Sequence, residues 1–386
     1  MDNMLAYLDE YGSHSFAEQP FGEVDNLVLS ELAYLNLREI VPAWGGGVAV
    51  SLREARARYV ELARDDATED NDPRPVLDHA AATKRFGDCQ LVGYDAIVDP
   101  TLELQYGAVS YLLDDGTCCV VFRGTDNSIV GWREDFSVLY TSHTQGQRRA
   151  ARYLEDAAER CGGPLIVCGH SKGGNLAMYA TAFCSEDVRV RVMRVYSNDG
   201  IGFAPDIACS PEFMSMSSRM SLLVPQSSFI GVLLESKECK EVVLSAESGL
   251  RQHDPYSWVV TGDKFVRLEQ CTHGSILVAK ALKEWLQTVD VQHRKEFVAA
   301  VFDAMEEDGA TTVTEFNEAG VSAYAHAVVR AVGTMEPRLR RDAILSVFQL
   351  ANAGASTIAN TAARQMTKLP ANIARNAQKH RINERP

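Results

Sequence analysis

Apolar residues recur along this chain with two different spacings, and the switches between them predict its elements. Over 26–41 the series Leu27, Val28, Leu29, Leu32, Ala33, Leu35, Leu37 and Ile40 keeps the spacing of an amphipathic helix, and 52–64 reads as a second, charge-rich one. The acidic, turn-forming stretch 65–75 reads as a surface loop. Two apolar runs, 108–113 and 118–122, flank Asp114-Asp115-Gly116-Thr117, which predicts two strands joined by an Asp-Gly turn. A helix over 145–160, a strand from 165, a helix ending near 183 and a strand at 190–196 follow. Strand, helix, strand at these distances requires right-handed crossovers and a parallel sheet. Further strands are expected at 221–224, 241–245 and 258–260, and helices over 275–286 and 294–305. Beyond Asp308-Gly309 the pattern is helical, with Ala-rich segments at 323–332, 341–353 and 358–368, the last stopped by Pro370. The expected architecture is therefore α/β. A central, mostly parallel sheet fills a body of residues 1–300, and 301–386 form a helical C-terminal extension.

Composition narrows the class. A chain of 386 residues with 46% hydrophobic and 23% charged side chains can bury one large core. No apolar run approaches the roughly 18 residues needed to cross a bilayer, and Met1-Asp2-Asn3-Met4 lacks the basic and apolar regions of a signal peptide, so cytoplasmic residence is expected. Nine cysteines, an odd number without a Cys-x-x-Cys spacing, suggest neither a disulfide framework nor a zinc site. They read as reduced, mostly buried apolar residues. The net charge of −14 is unevenly spread: residues 337–386 hold nine Lys or Arg against Asp342 and Glu384, a balance of +7, which leaves −21 on the residues before them. An acidic body disfavours nucleic acid. The basic helices over 341–379 invite weak contact with an anionic membrane surface, and packing against the acidic body is the preferred alternative.

The candidate chemistry begins at Gly169-His170-Ser171-Lys172-Gly173, which joins the apolar run 164–168 to the helix-forming stretch 174–180. Chance supplies Gly-x-Ser-x-Gly in roughly one chain in ten of this length, so the strand before and the helix after carry the weight. A serine on such a turn projects its hydroxyl clear of the sheet. The first amides of the following helix lack intrahelical partners and sit at the positive end of the helix dipole, where they can stabilise an oxyanion. Ser171 is thus the candidate nucleophile.

A serine hydroxyl needs a base, and histidine titrates in the right range. His170 is adjacent to Ser171, but neighbours on a sharp turn point apart, so it reads as a packing residue. Of His253, His273 and His293, the first lies in the polar loop Arg251-Gln252-His253-Asp254-Pro255-Tyr256-Ser257-Trp258 and is the candidate base. His273 reads as a helix-entrance or surface residue, and His293 as solvated. The candidate acid is Asp199, in Asn198-Asp199-Gly200-Ile201-Gly202 at the carboxyl end of a parallel strand, where such sheets place their chemistry. An Asx turn is the competing reading. Asp254 is expected to cap its own loop, and Asp206 is the remaining local candidate. For the oxyanion, Thr125 of Arg123-Gly124-Thr125-Asp126 offers its amide and hydroxyl, and Lys172 its amide. Arg123 and Asp135 are expected to form a structural ion pair behind the site. No metal or organic cofactor is required.

Together these residues resemble the lipase class 3 branch of the α/β-hydrolases, in which a Phe-Arg-Gly-Thr/Ser segment supplies the oxyanion hole and a Trp-x-x-Asp segment follows. Here those are Phe122-Arg123-Gly124-Thr125 and Trp132-Arg133-Glu134-Asp135. More closely, the chain resembles the DUF2974 group of bacterial α/β-hydrolases over roughly residues 1–310. The match lies in Phe21-Gly22-Glu23-Val24-Asp25-Asn26-Leu27, the Gly-His-Ser-Lys-Gly-Gly-Asn segment at 169–175, Asn198-Asp199-Gly200, Val224-Pro225-Gln226-Ser227-Ser228 and His253-Asp254-Pro255-Tyr256-Ser257-Trp258. One departure stands out. Class 3 lipases carry an aspartate just before a Val-Pro pair, and Ser221-Leu222-Leu223-Val224-Pro225 has none, which makes Asp199 after the preceding strand the nearest replacement.

The resemblance implies an α/β-hydrolase fold and a lipase- or esterase-like serine hydrolase. It would cleave carboxylic esters, such as those of acyl lipids, through an acyl-enzyme on Ser171 with His253 and Asp199. Residues 204–220, with Met214, Met216 and Met220, read either as a lid over an apolar pocket or as an excursion with buried methionines. An acyltransferase or thioesterase would use the same residues. A non-catalytic interaction protein on this scaffold is the alternative of another class.

Overall fold

The computed structural model describes residues 2–307, apart from 65–71, 127, 229, 233 and 235–239. The helices expected beyond 308, the basic segment 341–379 among them, lie outside the described residues. The strands are β1 (Val50–Ser51), β2 (Gln90–Asp99), β3 (Leu104–Leu112), β4 (Cys118–Phe122), β5 (Leu165–His170), β6 (Val192–Asn198), β7 (Met220–Pro225), β8 (Lys240–Val243), β9 (Val260–Thr261), β10 (Lys264–Phe265) and β11 (Arg267–Leu268). Five helices, α1 (Met4–Tyr11), α2 (Glu23–Leu32), α3 (Leu52–Glu61), α4 (Arg74–Ala82) and α5 (Lys84–Gly87), come mostly before the sheet. Between strands run α6 (Ile129–Ser137), α7 (Gln145–Arg160), α8 (Lys172–Phe183), α9 (Glu186–Arg189), α10 (Pro205–Ala208) and α11 (Pro211–Met216), and α12 (His273–Thr288) and α13 (Val291–Glu307) close the described chain.

Nine strands form one sheet in the order β1-β2-β3-β4-β5-β6-β7-β8-β11. Strands β4 to β8 are mutually parallel, while β1 to β4 pair antiparallel and β11 closes the far edge antiparallel to β8. Alternation along the buried central strands supplies two cores. Cys119 and Val121 of β4 and Ile166 and Cys168 of β5 face the layer of α1 to α5, and Cys118, Val120, Phe122, Leu165 and Val167 face α7 and α8. Helix α7 spans the expected 145–160, started by the reciprocal Thr144–Gln147 cap and turning Tyr153, Leu154 and Ala157 inward. This sheet, crossed over by helices on both faces with a tight turn after β5, is an α/β-hydrolase fold.

Two sequence expectations change. The stretch 26–41 is helical only through Leu32; a helix α2 that begins at Glu23 is followed by turns whose Leu35, Leu37 and Ile40 stay buried. Residues 204–220 form the crossover from β6 to β7 rather than a lid. Phe213 and Met216 of α11 are buried with α8, Phe213 packing edge-on to Phe203, and the segment ends at the amino end of β7, away from the carboxyl ends where Ser171 sits. At the other end, Val298 and Phe302 of α13 pack with Ile129 and Phe136 of the α6 region, so the body continues through that helix.

Candidate active site

Ser171 lies between β5 and α8 with φ 57° and ψ −128°. This backbone region is nearly closed to residues other than glycine and costs about 1–3 kcal/mol, which the surrounding packing must offset. The packing is close. A Cβ on Gly169 would lie 2.3 Å from the Gly173 carbonyl carbon, and one on Gly173 would lie 2.1 Å from the Phe122 oxygen. Both positions therefore require glycine, and β4, β5 and the start of α8 cross at backbone distance. The Ser171 amide donates to the Asn198 carbonyl at 2.9 Å, fastening the turn to the end of β6.

Asp199 follows immediately on β6, with a left-handed φ of 49° that aspartate tolerates better than most residues. Its amide donates to the Leu223 carbonyl at 2.7 Å, beside the Val-Pro stretch of β7 that carries no acid. The carboxylate is 1% exposed and accepts three hydrogen bonds: from His253 Nδ1 at 2.7 Å on Oδ2, and from Ser228 Oγ at 2.5 Å and the Gly231 amide at 3.0 Å on Oδ1. Three donors satisfy a buried carboxylate. Because Asp199 accepts from Nδ1, that nitrogen carries a hydrogen, and it is the neutral ring that offers a lone pair at Nε2. The structure brings Asp199 and His253 together directly. Ser171 Oγ and His253 Nε2 have no protein hydrogen-bond partner among the described residues, and no bond between them is closed.

His253 is held over the turn by its backbone. His170 Nε2 donates to the His253 carbonyl at 2.8 Å, which leaves His170 Nδ1 to accept from Tyr34 Oη at 2.9 Å. The two imidazole rings lie 4.5 Å apart between centroids. Burial, and then the neighbouring His253, hold His170 well below the usual imidazole range, so it is a neutral clamp. The layer of α2 reinforces the same place: Asn198 Nδ2 donates to Asn26 Oδ1, Ser30 Oγ and the Gly169 carbonyl. Tyr34, Asn26, Ser30 and Ser228 were not singled out from the sequence. Only Asn26, within the match at 21–27, and Ser228, within the Gln-Ser-Ser after Val224-Pro225, carried a local signal, through the family resemblance.

On the other side of Ser171, at the end of β4, lies a second buried cluster. Thr125 and Lys172 have backbone amides without a carbonyl partner among the described residues, Lys172 being the first residue of α8. The Thr125 hydroxyl donates to Asp135 Oδ2. The Lys172 ammonium is buried and donates to the Gln105 carbonyl at 2.7 Å, to Gln105 Oε1 and to Glu134 Oε2 at 3.3 Å, with Asp135 Oδ1 at 3.8 Å. Glu134 in turn accepts from the amides of Gln105 and Gly146, both at 2.9 Å. The expected Arg123–Asp135 pair does not form. Arg123 reaches Asp126 at 3.3 Å, and Asp135 turns toward Thr125 and Lys172 because the burial that closes this cluster leaves a hydroxyl and an ammonium nearest to it.

The remaining candidates fall where the sequence reading put them. Asp254 accepts from the Tyr256 amide and starts its own short turn, and the exposed Asp206 accepts from Ser142. His273 begins α12, and His293 is a partly exposed partner of Asp290 on α13.

The Mbeg1-like family model matches residues 80–303. The chain belongs to the Mbeg1-like family. This is a lipase class 3-like family. Among solved structures the chain is similar to the Rhizomucor miehei lipase in its propeptide complex, at 14% identity over 57% of this chain and 67% of that one with a TM-score of 0.36. It is also similar to lipase II from Rhizopus niveus, at 13% identity over 53% and 85% with a TM-score of 0.35. A triacylglycerol lipase from Penicillium expansum gives 12% identity over 48% and 78%, with a TM-score of 0.31. No curated protein matches the chain. No helix among the described residues of this family member is long and apolar enough to cross a membrane.

Proposed function

We propose that this Mbeg1-like protein is a carboxylic ester hydrolase in which Ser171, His253 and Asp199 act as a triad. The observation that carries the reading is the 2.7 Å bond from His253 Nδ1 to a triply held Asp199, over the turn that presents Ser171. Ser171 Oγ attacks the ester carbonyl while His253 Nε2 accepts its proton, and Asp199 stabilises the imidazolium without taking a proton itself. The oxyanion of the tetrahedral intermediate meets the amides of Thr125 and Lys172. His253 then returns its proton to the leaving alkoxide, and water repeats the sequence to release the acid from the acyl-enzyme. The Ser171–His253 bond closes when substrate binds, as catalytic hydrogen bonds of free enzymes often do.

Acyl lipids or other apolar esters are the proposed substrates, on the resemblance to class 3 lipases. The same reading covers the DUF2974 group, cytoplasmic residence, and a hydrolase unit with a basic helical extension, the boundary expected at 300 moving to the end of α13 because Phe302 packs on Phe136. The test is covalent labelling by a fluorophosphonate. The wild-type chain is expected to gain one adduct, on Ser171, and to hydrolyse short-chain nitrophenyl esters. Labelling or turnover that survives Ser171→Ala sinks the assignment.

A further inference from the structure

Thr125 has one hydroxyl hydrogen, and it is spent on Asp135 Oδ2. A hydroxyl that donates there cannot also donate to an oxyanion. Asp135, for its part, is poorly provided for. It is buried, its Oδ1 has no hydrogen-bond donor among the described residues, and the nearest cation, Lys172 Nζ at 3.8 Å, is already committed to Gln105 and Glu134. An ionised carboxylate in that position keeps a single donor. A neutral carboxyl needs fewer donors and brings a hydrogen of its own.

We infer that Asp135 carries a proton when the oxyanion forms and donates it to Thr125 Oγ1, which turns the Thr125 hydroxyl hydrogen toward the oxyanion beside the Thr125 and Lys172 amides. Asp135 is thereby a positioning residue acting through Thr125, and the inference rests on the reading of Ser171 as nucleophile. The balance is simple: one proton enters from solvent onto Asp135, and the O–H that links the two side chains becomes that of Asp135 instead of that of Thr125. Every neighbouring element contributes a charge. Lys172 on α8 opposes protonation; Glu134 on α6 and Asp126 in the oxyanion loop favour it; Arg123 at the end of β4 is drawn off by Asp126; and the Tyr34 hydroxyl faces the same space from beyond α2. Burial is the largest influence and pushes the carboxyl up to about 6, so the neutral form is accessible near neutrality. A developing oxyanion nearby draws it further in that direction.

The test compares the wild-type chain with Asp135→Asn, Thr125→Val and the double variant. The readouts are the rate of fluorophosphonate labelling and of nitrophenyl ester turnover between about pH 5 and about pH 8. The amide of Asp135→Asn is a permanent neutral donor to Thr125. The ratio of Asp135→Asn to wild-type rates, in which the shared limb of His253 cancels, is expected to grow roughly tenfold or more as pH rises across this range. In the Thr125→Val background that growth is expected to vanish. An infrared difference spectrum should show a protonated carboxyl in the wild-type chain that titrates near 6 and is missing from Asp135→Asn. A flat ratio, an Asp135→Asn variant as slow as Thr125→Val at every pH, or the absence of the carboxyl band overturns the inference. Failure of the wild-type chain to label at all would instead overturn the assignment of Ser171, and the infrared band, which needs no turnover, would still decide Asp135.

Discussion

Two buried aspartates flank Ser171 in strand order, Asp199 at the end of β6 and Asp135 on α6 beside the end of β4, and they are held in opposite ways. Asp199 accepts from an imidazole, a hydroxyl and a backbone amide. Asp135 accepts from one hydroxyl and leaves its other oxygen facing an ammonium that is engaged elsewhere. The same side chain at similar burial is thereby fitted for two tasks. Three donors suit a carboxylate to steadying an imidazolium, whereas burial with one donor pushes the Asp135 carboxyl toward a neutral acid that can itself donate. What differs is the supply of hydrogens from the loops at 226–231 on one side and from Thr125 alone on the other.

The comparison breaks most readily at Asp199. Replacing it by Asn is expected to lower kcat for a nitrophenyl ester by roughly 10⁴ at every pH, since the imidazole loses the anion that sets its tautomer. A loss of less than about tenfold would mean that Asp199 only shapes its turn. A middle-sized effect concerns stability, and its sign follows from the direction of the Asp135 shift. Its folded value of about 6 lies above the ordinary carboxyl value of 3.8, so its favourable contribution is complete below about pH 4 and lost as pH rises through about 6. Between about pH 4 and about pH 8 the difference in urea unfolding free energy should move by about 3 kcal/mol in favour of Asp135→Asn. An unchanged difference would show that burial does not raise the Asp135 carboxyl. The smallest effect is expected from Ser228→Ala, which takes one of three donors from Asp199 and should cost about tenfold in kcat with KM unchanged. A larger loss than that of Asp199→Asn would show Ser228 to act other than through the acid.

Much of this arrangement was legible beforehand because its signals are local. The glycines at 169 and 173 are demanded by contacts of 2.3 Å and 2.1 Å that no Cβ permits, so a strand, Gly-x-Ser-x-Gly and a helix together announce the turn. His253 and Asp199 were marked out by loop polarity and by position at a strand end, and the fold brings them within a hydrogen bond. The errors were non-local. The Arg123–Asp135 pair was inferred from charge and proximity in sequence, but Asp126 lies nearer to the guanidinium. Residues 204–220 admitted either a lid or an excursion with buried methionines, and the fold makes them a crossover with Met216 and Met220 buried. Tyr34 reaches His170 from 136 residues away and leaves no mark on the site in the sequence.

By itself, then, the sequence determined the crossover sheet, the strained serine turn and the residue types at hand, since periodicity and close backbone approach act over a few neighbouring positions. Tertiary structure alone decided how many donors each buried carboxyl receives, and with that how differently Asp199 and Asp135 are held. Burial and hydrogen-bond supply are sums over all the segments that converge on a point, and no single segment carries them.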